Sequence, residues 1–200
     1  GKKVLVFGAG KSGIGAADLL GSVGAQPIIY DGNENLDKEA VLHKTNGTYT
    51  PEIWAGAFPE GEMESLDLVV LSPGVPTDLP LVKSFYEKGL PVWSEVELAY
   101  RTGKGEVLAI TGTNGKTTTT ALLGKIMGDA RESVFVVGNI GTAYTSKSLE
   151  MREDSVTVAE ISSFQLETIE QFRPKVSAIL NITEDHLNRH HTMEEYIRVK

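Results

Sequence analysis

The chain has 200 residues, 40% of them hydrophobic and 23% charged, ordinary globular values that exclude disorder, collagen and coiled coil. Nineteen Lys and Arg against 27 Asp and Glu leave a net charge of −8, which argues against nucleic-acid and membrane-surface partners. The absence of cysteine removes disulfide frameworks, thiolate zinc sites and cysteine nucleophiles together, and no apolar run nears the ~18 residues of a membrane span. A soluble cytoplasmic protein of one or two domains is expected, at roughly 150 residues per domain.

Val4–Phe7 predicts a first strand, followed by Gly8-Ala9-Gly10-Lys11-Ser12-Gly13 and a helical pattern over Gly13–Val23. The loop fits G-x-G-x-x-G: Gly8 permits a tight turn, Gly10 lets backbone approach a diphosphate, and Gly13 packs helix on strand. Pro27–Tyr30 predicts the next strand, and Asp31 ends it where an acidic residue would meet a ribose hydroxyl. Three readings stay open at this point: NAD, another nucleotide diphosphate such as a UDP-sugar, or a merely tight turn. Strand Leu68–Leu71 runs into Ser72-Pro73-Gly74-Val75-Pro76, a rigid turn at the carboxyl edge where open α/β sheets bind ligands. A helix over Leu79–Lys88 and a strand at Val92–Trp93 close this part.

The polar stretch Arg101–Glu106 marks a domain boundary, giving units at 1–103 and 104–200. Strand Val107–Thr111 then feeds Gly112-Thr113-Asn114-Gly115-Lys116-Thr117-Thr118 and a helix over Lys116–Met127. Successive backbone N–H groups in such a loop cradle phosphate oxygens, Lys116 reaches the β/γ-phosphates, and Thr117 can ligate Mg²⁺. The spacing is G-x-x-G-K-T-T, tighter than the usual phosphate loop because Ile110 stands at its first glycine position. ATP is the expected ligand. Strands over Val134–Val137, Val156–Ile161 and Val176–Ile182 follow, with helices over Phe164–Phe172 and Met193–Lys200. Glu160 lies near the end of an apolar strand, where a carboxylate needs a partner or a cation. His186 follows the next strand, so Lys116, Thr117, Glu160 and His186 are expected around one crevice. Strand alternating with helix makes the fold class α/β, with parallel sheets and right-handed crossovers.

Thr111–Thr118 (TGTNGKTT), Gly138–Gly141 (GNIG), Glu160–Glu167 (EISSFQLE) and Asn181–His190 (NITEDHLNRH) together resemble the Mur ligases of peptidoglycan synthesis. The resemblance covers the whole chain, and Ser162–Leu166 narrows it to the branch that joins D-glutamate to UDP-N-acetylmuramoyl-L-alanine. It implies a Rossmann-like UDP-binding domain, then a P-loop-type ATPase domain that is incomplete here, with a third, amino-acid-binding domain absent. A monomer is expected. It turns the first loop from NAD to UDP, with Lys11, Ser12, Asp31, Gly32 and Gly74 near the uridine diphosphate and Asn139 and Ser162 against the sugar-peptide. Tyr196-Ile197-Arg198-Val199-Lys200 resembles the family's Y-x-x-x-K, whose lysine is carbamylated and becomes an anionic oxygen donor.

The chemistry implied is an attack of the L-alanyl carboxylate on the γ-phosphate of ATP. D-glutamate nitrogen then displaces phosphate from the acyl phosphate. Gly112, Thr113, Asn114, Gly115, Lys116, Thr117 and Thr118 would hold ATP; Thr117 and Glu160 one Mg²⁺; Glu160, His186 and carbamylated Lys200 a second. An NAD oxidoreductase, a sister ligase of other amino-acid specificity and a non-catalytic nucleotide switch are the rivals.

Overall fold

The computed structural model describes residues 1–139 and 141–200, so Ile140 of the GNIG segment lies outside the described residues. The first sheet contains β1 (Lys3–Phe7), β2 (Gln26–Asp31), β3 (Glu52–Ala55), β4 (Leu68–Leu71) and β5 (Val92–Ser94) in the order β3-β2-β1-β4-β5, all parallel. The second contains β6 (Glu106–Thr111), β7 (Val134–Gly138), β8 (Val156–Glu160) and β9 (Val176–Ile179) in the order β7-β8-β6-β9, again all parallel. The α/β class read from the sequence is the class observed.

Strand periodicity of two assigns the first sheet's faces. Val4, Val6, Ile29 and Val70 pack against Ile14, Ala17 and Leu20 of α1 (Lys11–Ser22) on one face. Leu5, Phe7, Ile28, Val69 and Leu71 meet Val82 and Phe85 of α3 (Pro80–Glu87) on the other. A short helix, α2 (Lys38–Leu42), precedes β3. In the second sheet α5 (Lys116–Ala130) covers β6, β7 and β8. Gly124 makes that close approach possible, since a Cβ there would stand 2.3 Å from Val136 Cγ2.

Between the sheets lies α4 (Glu95–Thr102), which the sequence pattern did not announce. Ser94 caps it through the Glu97 N–H, and its side chains split between two cores: Leu98 joins the first, Val96 and Ala99 the second. The carboxylate of Glu97, whose side chain is 0% exposed, accepts backbone N–H groups from Glu170, Gln171 and Phe172 at 2.8–2.9 Å and Arg101 Nε at 2.6 Å. Burial pushes its pKa up, but these donors outweigh burial and hold it below the ordinary 4.5. Arg101 also pairs with Glu170 and lies 3.9 Å over the Trp93 ring.

The same contacts shorten an expected helix. Phe164–Phe172 yields only α6 (Ser163–Leu166), because the N–H groups of residues 170–172 are drawn to Glu97 rather than to helical carbonyls. The strand expected to Ile182 stops at Ile179, and the last helices are α7 (Leu187–His190) and α8 (Met193–Val199).

Replacing Glu97 with alanine leaves three part-buried backbone N–H groups and Arg101 without their acceptor, an expected loss of about 3 kcal/mol at neutral pH by urea titration. Because the folded pKa is depressed, that stabilisation is complete above 4.5 and disappears as pH falls through the folded value, so the two proteins converge in acid. A loss that stays constant into acid would contradict the carboxylate's role.

Candidate active site

The phosphate loop forms at the carboxyl end of β6. Gly112 has φ +141° and Gly115 φ +83°, conformations that L side chains resist, and they turn the strand directly into α5. Asn181 braces the loop by accepting the Asn114 N–H at 2.9 Å and donating to the Asn114 carbonyl at 3.0 Å. Thr113 is locked to Thr183 and to the Tyr196 hydroxyl, the latter at 2.9 Å. Lys116 Nζ donates to the carbonyls of Gly112 and Thr113 at 2.9 and 2.8 Å, folded over the loop whose anion it would bind.

Glu160, 2% exposed, sits at the end of β8. Its Oε2 accepts from Thr117 Oγ1 at 2.9 Å and its Oε1 from Asn139 Nδ2 at 3.1 Å. Thr117 and Glu160 thus bring a hydroxyl and a carboxylate oxygen side by side at the loop, a donor pair suited to a hard cation that keeps most of its waters.

Lys116, Gly112, Asn139, Ser162, His186 and Lys200 line one cavity of about 260 Å³. His186 is held in the left-handed region at φ 53°, and its ring packs 4.8 Å from that of Phe164, with Nε2 3.5 Å from Asp185. Lys200 Nζ donates to Thr111 Oγ1 and the Gly112 carbonyl at 3.1 and 3.0 Å. Burial, with repulsion from Lys116, brings its pKa down to about 8 despite Asp185. Among the described residues no three His, Cys, Asp or Glu side chains gather to hold a metal. A second cation therefore does not fit the Glu160, His186 and Lys200 set while Lys200 remains an amine.

A second cavity, about 590 Å³, opens at the carboxyl edge of the first sheet and is lined by Lys11, Ser12, Asp31, Gly32 and Gly74. Asp31 accepts the Ala9 and Asn33 N–H groups, both at 3.0 Å, so it braces the glycine loop from inside. Lys11 Nζ reaches across to the Gly141 carbonyl at 2.9 Å. Pro73 and Asn139 line both cavities, which makes them neighbouring parts of one cleft.

Several lining or supporting residues carried no sequence signal of their role. Arg189 donates to Val75 O at 2.8 Å and pairs with half-buried Glu167, tying α7 to the Ser72–Pro76 turn. His190, whose pKa is lowered mainly by burial, meets Ser163 Oγ at 2.9 Å and packs against the Phe164 and Tyr196 rings. Pairings 114 and 27 residues apart leave no local pattern.

The model for the MurD-like N-terminal domain of Mur ligases matches residues 2–94, and that for the Mur ligase middle domain matches residues 110–200. The chain belongs to the Mur ligase family. Two relatives named UDP-N-acetylmuramoylalanine–D-glutamate ligase, from Lachnospira eligens and Lachnoclostridium phytofermentans, are each 60% identical over 100% of this chain and 44% of their own. This Mur ligase chain therefore spans less than half the length of the curated relatives it matches. Among solved structures, a UDP-N-acetylmuramate-alanine ligase from Thermotoga maritima aligns with TM-score 0.55 and 25% identity, over 100% of this chain and 46% of that one. A UDP-N-acetylmuramate:L-alanyl-γ-D-glutamyl-meso-diaminopimelate ligase from Neisseria meningitidis aligns with TM-score 0.57 over 99% and 66%; at 17% identity it bears on the fold alone.

Proposed function

We propose that the protein containing this chain is an ATP-dependent amide ligase that adds D-glutamate to UDP-N-acetylmuramoyl-L-alanine in peptidoglycan precursor synthesis, in the cytoplasm. The observation that carries this reading is the shared wall of the two cavities, Pro73 and Asn139: a ligand anchored by its diphosphate at the first glycine loop would extend past them toward Lys116. The relatives' names supply the substrate pair. Residues 1–103 form the UDP-substrate domain in this proposal and residues 104–200 part of the ATP-binding domain.

A carboxylate and an amine form a salt at neutral pH, so the acid first needs a better leaving group. The L-alanyl carboxylate oxygen attacks the γ-phosphorus of ATP; the bond to the β,γ-bridging oxygen breaks and ADP leaves. The unprotonated nitrogen of D-glutamate then attacks the acyl carbon, phosphate departs with the C–O pair, and a proton is lost from nitrogen. Lys116 exchanges the Gly112 and Thr113 carbonyls for β/γ-phosphate oxygens, and the N–H groups at the start of α5, from Gly115 to Thr118, hold the remaining charge, while those of Thr113 and Asn114 are given to Asn181 and keep the loop in shape. Thr117 and Glu160 would hold Mg²⁺, which when bound neutralises charge developing on the transferred group. Asn139 keeps Glu160 aligned. Lys11, Ser12, Asp31, Gly32 and Gly74 surround the diphosphate end, with Asn139 and Ser162 beside the sugar-peptide.

Lys200 has a further part in this proposal. Its lowered pKa increases the neutral amine, which adds to CO₂ and loses a proton to give a carbamate. That exchange replaces a cation with an oxygen donor and makes the Glu160, His186 and Lys200 set compatible with a second Mg²⁺.

In the full-length protein, UDP-N-acetylmuramoyl-L-alanine should support ADP release with D-glutamate and not with L-alanine or diaminopimelate, and Lys116→Ala should abolish it. Preference for another amino acid points to a sister ligase, NAD affinity without UDP-sugar affinity to an oxidoreductase, and ATP binding without products to a switch. Lys200→Ala should lower activity by orders of magnitude and recover part of it with a short carboxylic acid. Full activity without rescue removes Lys200 from the site.

A further inference from the structure

Beneath Ser162 lies a buried polar chain that the reaction scheme leaves unused. Gln165, 3% exposed, donates from Nε2 to Glu95 Oε1 at 2.7 Å, across 70 residues of sequence. Its Oε1 accepts both the Ser162 N–H at 2.8 Å and the Ser162 hydroxyl at 3.0 Å, while its own backbone N–H is accepted by Ser162 Oγ at 3.3 Å. Glu95, on α4, is itself 4% exposed, and its Oε2 has no hydrogen-bond partner.

Donor and acceptor types fix the protons between Ser162 and the Gln165 amide, whichever form Glu95 takes, its pKa being pushed up to about 7 by burial. A backbone N–H can only donate, so the oxygen of the Gln165 amide must face Ser162 and its nitrogen must face Glu95. An amide oxygen can only accept, so the Ser162 hydroxyl spends its single proton on Gln165. One Ser162 lone pair is taken by the Gln165 N–H, and the other remains for the cavity that Ser162 lines. The capping box alone does not demand glutamine, since glutamate serves the N3 position equally well. With Glu95 buried opposite, a glutamate at 165 would set one acid against another and lose the Nε2 donor that Glu95 accepts, so Glu95 selects the amide.

We propose that Glu95 is a positioning residue: its hydrogen bond to Gln165 Nε2 pins the amide whose oxygen makes the Ser162 hydroxyl an obligate hydrogen-bond acceptor toward the ligand. The group that meets Ser162 is then an N–H or O–H of the sugar-peptide. A phosphate or carboxylate oxygen is refused there, because lone pair would face lone pair. The device separates the neutral, donor-bearing part of the substrate from the anionic oxygens that belong at Lys116 and the phosphate loop. This inference rests on the ligase reading for the identity of the ligand.

The test is steady-state kinetics of the full-length protein, with KM for UDP-N-acetylmuramoyl-L-alanine, KM for ATP and kcat measured separately. Ser162→Ala and Glu95→Ala should each raise the sugar-peptide KM about tenfold, with kcat and the ATP KM within about twofold. Glu95→Gln, whose side-chain oxygen can accept the same Gln165 hydrogen bond, should restore it. The Glu95→Ala, Ser162→Ala double variant should be no worse than Ser162→Ala alone. Where alanine at 95 does not fold, Glu95→Asp keeps the carboxyl group but withdraws its oxygen from Gln165, with the same split expected. An unchanged sugar-peptide KM, failure of Glu95→Gln to restore it, or additive losses in the double variant would overturn the proposal. Wild-type protein that does not bind UDP-N-acetylmuramoyl-L-alanine would instead overturn the ligase reading.

Discussion

One buried carboxylate governs the relation of the two sheets. Glu97 stands on a helix that belongs to both cores and accepts three consecutive backbone N–H groups from the segment after α6, with Arg101 as its countercharge. A buried charge is tolerated only when its hydrogen bonds are nearly complete, so the segment cannot drift without exposing an unpaired anion. Arg189 adds a second tie, from α7 to the Ser72–Pro76 turn. Together these contacts leave the carboxyl edge of each sheet facing the same cleft, with Pro73 and Asn139 common to its two parts.

Within that frame the site is assembled by polar groups that satisfy one another. Glu160 is buried because Thr117 and Asn139 complete its oxygens, and these same partners bring it to the phosphate loop and to the wall of the cleft. Tyr196 joins Thr113 of the loop to α8, one turn ahead of Lys200 at the helix's C-cap, so α8 and its cap hold both the loop and Lys200. The left-handed His186 turns its ring onto Phe164, a strained backbone at the point where side-chain direction matters most. Glycine, carboxylate and imidazole each occupy positions that local preference alone would not choose, as expected of a binding cleft.

Much of this was legible in the sequence, and the division follows from range. The two glycine loops are strand–turn–helix signals within about ten residues, and both form as read, as do the apolar strands that feed them. Glu160 could be picked out because a lone acid at the end of an apolar strand is costly. Helix α4 escaped notice because Glu95 and Glu97 occupy buried positions and break the amphipathic pattern. The segment after α6 looked helical because its captor, Glu97, lies more than 70 residues away. The short edge strand β3, Glu52–Ala55, mixes polar and apolar residues and carries too few of either to declare itself. Arg189, His190 and the Glu95–Gln165 pair are likewise tertiary facts.

If the grip of Glu97 is what makes the two cavities one cleft, its weakening should be felt only by a ligand that uses both. The direct measurement is calorimetric titration of the full-length wild-type and Glu97→Gln proteins, well below their melting temperatures, with UDP alone and with UDP-N-acetylmuramoyl-L-alanine. The account predicts similar UDP affinity in the two proteins and a clear loss for the longer ligand in the variant. Equal losses for both ligands, or none for either, would contradict it.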